Sequence, residues 1–172
     1  MLRRFGDKLR YLRRQRQITQ VDLAYRLGTA AQGHLSLLEH GRRQPSIELV
    51  LRVAALFTVS TDYLLRDSIP IDQPLAAPIP SPARETLPRL FSAKLRYLRT
   101  QRHLTQVDVS NLLLLRTQAH ISLLESGRSE PSLELLLQLS DLFGVTTDYL
   151  LRDAIPVEPP MISGSDHLTP QS

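Results

Sequence analysis

The sequence contains no cysteine and no tryptophan. Without cysteine there is no disulfide framework, no Cys-based zinc finger, no thiol nucleophile and no cysteine-held iron–sulfur cluster. Aromatic residues make up only 5% of the 172 positions, which argues against a platform that stacks unpaired bases. No apolar run approaches the ~20 residues of a membrane span. The opening stretch MLRRFGDKLRYLRR is charged throughout and lacks the apolar centre of a signal peptide. No nucleophile elbow, glycine-rich phosphate loop or cleft carboxylate pair is present. The five histidines, at 34, 40, 103, 120 and 167, show no metal-ligand spacing. The chain is therefore expected to have no catalysis, no cofactor, no metal, no membrane association and no small-molecule ligand.

What is present is basic. Lys+Arg number 21 against 17 Asp+Glu, a net charge of +4. Almost all the basic residues are arginine, the side chain suited to bidentate phosphate and guanine contacts, so nucleic acid is the first partner to consider. The chain also repeats itself. A shift of 86 aligns Phe5–Pro70 with Phe91–Pro156 without a gap, and 39 of those 66 positions are identical. Residues 1–70 and 89–156 are thus expected to be two similar small domains. Residues 71–88, IDQPLAAPIPSPARETLP, carry five prolines and read as an extended spacer with a reach of about 55 Å. The tail, 157–172, is polar and rich in Pro, Gly and Ser, and is expected to be disordered.

Within one unit, Leu2, Phe5, Leu9 and Leu12 fall at helical spacing among arginines, which predicts an amphipathic first helix. Thr19 followed by Asp22 reads as a capping-box-like start for a short second helix, Gln20 to about Leu27, stopped by Gly28. A third helix is expected from about Ala31 to Glu39, with Leu35 and Leu38 inward. Ser46 caps a fourth, Ile47 to Phe57, and Thr61-Asp62 caps a fifth containing Tyr63, Leu64 and Leu65. Tyr11, Phe57, Tyr63 and their copies Tyr97, Phe143 and Tyr149 sit at core spacing. The fold class expected is all-α: two tandem five-helix domains joined by the Pro-rich linker.

Helix two, a tight turn and helix three form helix-turn-helix geometry, whose second member enters the major groove. The segments KLRYLRRQRQITQVDLAYRLG, HLSLLEHGRRQPSIELVLRVAALF and VSTDYLLRD, and their second copies, resemble the Cro/C1-type (xenobiotic-response-element) helix-turn-helix regulators. The resemblance covers about 130 residues, and it implies a lambda-repressor-like DNA-binding domain in tandem, at work in the cytoplasm on the bacterial nucleoid. Two departures stand out. One residue more than the family usually shows falls between Gln20 and Ser36. In copy two, Leu114 replaces the turn residue Gly28, so a longer or differently shaped second turn is expected.

The start of the third helix should carry base contacts: Ala31, Gln32, Gly33 and His34 in copy one, Arg116, Thr117, Gln118 and His120 in copy two. Gln pairs bidentately with adenine and Arg with guanine. The two histidines have an equal alternative, packing beside the helix. Phosphate contacts are expected from Gln20, Ser36, Arg42 and Arg43, and from Gln106, Ser122 and Arg128. For Gln20 and Gln106 the competing role is a local cap, and for the serines a local hydrogen bond. Arg10, Arg13 and Arg96 rank lower, since a charged helix face is more often merely solvated. Glu39 and Glu125 would be repelled by phosphate and should pair internally with an arginine of their own unit.

Charge separates the copies. Residues 1–70 hold 12 basic and 6 acidic side chains, whereas 89–156 hold 8 and 7, so copy one should bind DNA harder and more salt-sensitively. The function expected is a sequence-specific, double-stranded-DNA-binding transcription regulator, a repressor. Its two units would serve as an intramolecular pseudo-dimer or take part in a homodimer. The alternative is an antitoxin or adaptor in which copy two, with its Leu112–Leu115 run, binds a protein.

Overall fold

The structure, a computed structural model, describes residues 4–28, 32–78, 88–115, 117 and 119–158. Among these, ten helices form and no sheet. Unit one comprises α1 (Phe5–Gln15), α2 (Gln20–Arg26), α3 (Gln32–Glu39), α4 (Ile47–Phe57) and α5 (Thr61–Leu65). Unit two repeats the order with α6 (Phe91–Gln101), α7 (Gln106–Leu112), α8 (Ala119–Glu125), α9 (Leu133–Phe143) and α10 (Thr147–Leu151).

Local chemistry accounts for most of these boundaries. Leu2 lies outside the described residues, and α1 begins at Phe5, burying Phe5, Leu9 and Leu12 on one stripe. The Thr19 hydroxyl accepts from Asp22 N–H while the Asp22 carboxylate accepts from Thr19 N–H, a complete capping box; Thr105 and Asp108 repeat it. Ser46 and Ser132 cap α4 and α9 through the N–H groups of Leu49 and Leu135. For the fifth helix the sequence expectation is corrected. Its cap is Ser60, not Thr61, and in unit two Thr146. Thr61 and Asp62 lie in the first turn of α5.

Apolar side chains fill the centre of each unit, and the two sets join in one cluster. Leu23, Leu35, Leu38, Val50, Leu51 and Leu64 are buried in unit one, as are Val109, Ile121, Leu124, Leu136 and Leu150 in unit two. Tyr63, Tyr149, Phe57 and Phe143 belong to these cores, while Tyr11 packs at the margin of its own. Both units also bury a lysine. Lys8 Nζ donates to the carbonyls of Tyr63 and Arg66, and Lys94 Nζ to those of Tyr149 and Arg152, each at 2.6 Å. These bonds tie α1 to the end of α5, and α6 to the end of α10. Burial pulls both ammonium groups down to about 8, against the upward influence of Asp67 and Asp153.

The units meet through α5 and α10. Thr61 N–H donates to Asp148 Oδ2 and Thr147 N–H to Asp62 Oδ2, both at 2.9 Å. Thr61 Oγ1 and Thr147 Oγ1 share a hydrogen bond at 2.8 Å. Because 147 and 148 are 61 and 62 shifted by 86, the contact is isologous: each unit offers the other the same patch. One pair breaks the symmetry. Arg66 reaches Asp141 at 2.6 Å and the Ser140 hydroxyl at 2.7 Å. Their counterparts in unit one are Ala55 and Ala54, so Arg152, paired with Asp148 as Arg66 is with Asp62, meets the Val59 carbonyl instead.

The first part of the linker is not a free spacer. Ser60 N–H donates to Leu75 O and Ala77 N–H to Thr58 O, which makes the isolated bridge between Val59 and Ala76. The Tyr63 hydroxyl donates to Ile71 O. Chain between Pro78 and Pro88 is therefore all that separates the anchored ends. Ten residue steps reach at most roughly 36 Å in any conformation, well short of the span of a fully extended 71–88.

Candidate nucleic-acid interface

The helix-turn-helix of unit one is α2, the turn after Leu27, and α3. Its interior face is set by Leu23, Ala24, Leu35 and Leu38. Gly28 takes φ +62°, and its N–H closes the turn on Tyr25 O. In unit two, Leu114 adopts φ +52°, and its N–H donates to Asn111 O at 3.0 Å. The expected difference in turn shape is thus corrected at this residue: Leu114 accepts the left-handed conformation that glycine adopts without strain. Its side chain is 91% exposed, so the conformation is imposed by the flanking helices and not by packing of the leucine.

Helix α3 is held from beneath by one carboxylate. Glu39, 2% exposed, accepts from Arg13 Nε at 2.7 Å, from Arg13 Nη2 at 3.0 Å and from the Gln20 amide at 2.8 Å. Arg13 also donates to Ile18 O, so one guanidinium joins α1, the α1–α2 connection and the end of α3. Unit two repeats the arrangement with Glu125, Arg99, Gln106 and Leu104 O. Burial pushes these carboxylates upward. The arginine and glutamine hydrogen bonds, with the arginine charges, outweigh it and hold both below the ordinary range. The internal pairing expected for both glutamates is present.

The first helix approaches α3 closely at one point. A Cβ at Gly6 would fall 2.3 Å from Leu38 O, so only glycine fits, and Arg10 Nη2 donates to Glu39 O at 3.0 Å. Unit two has Ser92 at the matching position. There Arg96 remains 3.7 Å from Glu125, with its side chain 63% exposed. Arg13 and Arg99 are therefore internal struts, while Arg96 faces solvent.

The face of α3 opposite Leu35, Leu38 and Glu39 carries Gly33, Leu37 and His40, all exposed, flanked by half-buried His34 and Ser36. In unit two it carries Ala119, Ser122, Leu123 and Ser126, with His120 half-buried and Thr117 exposed ahead of the helix. Ala31, Arg116, Gln118 and the side chain of Gln32 lie outside the described residues. Gln20 and Gln106 are half-buried, each with its amide turned to the glutamate below. Beyond α3, Gly41 at φ +66° reverses the chain, and Arg42 and Arg43 follow it into solvent; Gly127 and Arg128 do the same in unit two.

Leu37 and Leu123 were not singled out from the sequence. The available signal was spacing: each lies four residues after the exposed Gly33 or Ala119, on the same helical face. Tyr25, 88% exposed on α2, was missed as well, since an aromatic within a periodic stretch reads as core.

A family profile described as helix-turn-helix matches residues 9–64 and again 95–150, well over half the chain. The chain belongs to the Cro/C1-type helix-turn-helix family. It is a DNA-binding helix-turn-helix regulator in two tandem copies, from a family of regulators and not of enzymes. Comparison with curated proteins and with solved structures gives no significant match. Among the described residues, no helix is long and apolar enough to cross a membrane.

Proposed function

We propose that this helix-turn-helix regulator is a sequence-specific repressor whose two units bind successive major-groove faces of one operator as an intramolecular pseudo-dimer. The observation that carries this reading is the isologous contact between α5 and α10. Proteins with this motif present recognition helices in pairs about 34 Å apart, and reciprocal hydrogen bonds between equivalent residues suit such a pair. The short stretch of chain joining the units supports it further, since tethering keeps the effective concentration of each unit for the other near ~mM.

In this reading Gly33, His34, Ala31 and Gln32 meet base edges in one half-site, and Arg116, Thr117, Gln118 and His120 in the other. Leu37 and Leu123 add apolar surface of the kind that meets a thymine methyl. Ser36, Ser122, Arg42, Arg43 and Arg128 hold phosphate, as do the helix-start N–H groups beside Gln20 and Gln106. The operator is two related but unequal half-sites, because positions 30, 31 and 33 differ from 116, 117 and 119. The protein works in the cytoplasm on the bacterial nucleoid.

The test is stoichiometric. Sites selected from a random duplex pool are footprinted, and the mass of the complex is measured. One chain protecting both half-sites is the expected result; an absolute requirement for two chains per operator refutes the pseudo-dimer.

A second reading, in which unit two docks an antitoxin- or adaptor-type protein partner, is favoured by Leu112, 57% exposed, beside the exposed Leu114. Under it the half-site of unit two would show no protection.

A further inference from the structure

Pairing of the units opens a groove that neither contains alone. It holds about 710 Å³, within the range of small-molecule sites. Pro45 and Ile47 wall it from unit one, and Pro131, Leu133 and Leu137 from unit two. These walls are apolar, and the charge on the rim is one-sided. Gln44 of unit one faces its counterpart Glu130. Glu48 is paired with Arg52 one turn on, whereas the matching Glu134 has Gln138 at that position. Among the described residues, neither Glu130 nor Glu134 has an ion-pair partner. Asp141 is neutralised by Arg66, and no Lys or Arg lines the groove. Helices α4 and α9 both begin here, and Glu48 and Glu134 in their first turns offset the partial positive charge of those ends. Glu130 is left as surplus negative charge.

We propose that this groove between the units binds an amphipathic organic cation. Its apolar body lies against the prolines, Ile47 and the leucines, and its ammonium or amidinium head lies between Glu130 and Glu134. The site supplies an effector input to the paired units. Gln44 and Glu130 directly follow Arg43 and Ser129, in the loops assigned to phosphate, so an occupant that wedges the groove weakens DNA binding. That consequence rests on the proposed DNA reading; the binding itself does not.

Calorimetric titration of the full chain without DNA tests the site, using n-octylammonium chloride, sodium octanoate and 1-octanol. Octylammonium is expected to saturate one site per chain, octanoate to show no binding, and octanol to bind more weakly. Exchanging both exposed carboxylates (Glu130→Gln with Glu134→Gln) should weaken octylammonium by about fivefold, the worth of an exposed charge contact, and leave octanol unchanged. Leu137→Trp, which fills the groove, should abolish both, and unchanged circular dichroism confirms that each variant is folded. Octanoate binding as tight as octylammonium, or octylammonium affinity unchanged in the double variant, overturns the site. In a gel shift, saturating octylammonium should lower affinity for the selected duplex. Undisturbed DNA binding with the groove filled overturns the coupling, and failure to bind any duplex overturns the DNA reading while the titration still stands.

Discussion

Replacing Glu39 with glutamine separates positioning from charge, because the two predict opposite signs. The substitution removes a buried carboxylate that accepts two hydrogen bonds from Arg13 and one from Gln20, and it leaves the shape almost intact. Breaking a buried pair by deleting one partner costs about 3–5 kcal/mol. Arg13 keeps some access to solvent, with its side chain 14% exposed, so the lower end, about 3 kcal/mol, is expected. Glu39 lies below its ordinary carboxylate value in the folded chain. Its stabilisation is therefore fully present above the unfolded value near 4.5 and is lost as pH falls through the folded one. Glu39→Gln should lower the urea midpoint near neutral pH and flatten the acid limb of the stability curve. On DNA, one added unit of positive charge favours phosphate contact in general, yet an unsupported α3 cannot hold its register. Affinity for the selected operator should fall about tenfold, the equivalent of 1.4 kcal/mol, while affinity for random duplex holds or rises. Urea denaturation followed at 222 nm and paired gel shifts make the measurement. A stability loss below about 0.5 kcal/mol, the scatter of ordinary surface substitutions, or tighter operator binding refutes the reasoning.

The left-handed Leu114 costs about 1–2 kcal/mol, and glycine returns about 0.5–1 of that through chain entropy. Leu114→Gly should therefore raise the thermal midpoint, whereas Gly28→Ala should lower stability by about 1 kcal/mol. At the seam, Asp148→Ala removes a buried carboxylate that serves both Arg152 and the Thr61 N–H and should cost about 3–5 kcal/mol; the more exposed Asp141→Ala should cost under about 1. Equal losses in denaturation would contradict the burial seen at Asp148. Each phosphate contact removed should reduce the slope of log affinity against log salt by about 0.9. Arg42→Ala with Arg43→Ala should thus flatten it by about 1.8, and Arg128→Ala by half as much. A slope unchanged by the double variant would remove those arginines from the interface.

Much of the fold was legible because its signals are local. The Thr19–Asp22 capping box, the Ser46 cap and the run from Ile47 to Phe57 depend on residues within one or two turns, and each lies where spacing and capping put it. The cap of the fifth helix lies one residue before the Thr61-Asp62 pair that the sequence points to. Ser60, Thr61 and Asp62 are all good caps in isolation, and only the folded chain shows Ser60 capping while the other two cross to the second unit. The turn at Leu114 was misjudged for a related reason. Propensity disfavours a left-handed leucine by an amount smaller than what α7 and α8 gain by packing together. Of the candidate interface, the solvent-facing arginines after α3 were legible as charge following a glycine stop. Leu37 was hidden inside a leucine-rich motif whose other members are core.

No cysteine, few aromatics and no long apolar run left a small helical, arginine-rich protein, and the 86-residue repeat made it two. Sequence by itself determined the helices, the caps of α2 and α4, the family and the uneven charge of the copies, because each depends on residue identity or on neighbours in the chain. Tertiary structure alone decided which arginines are spent on Glu39 and Glu125, that Ile71, Leu75 and Ala77 are bonded to unit one, and that the copies meet through Thr61, Asp62, Thr147 and Asp148. Those outcomes depend on side chains tens of residues apart competing for the same buried partners, and no local pattern records who wins.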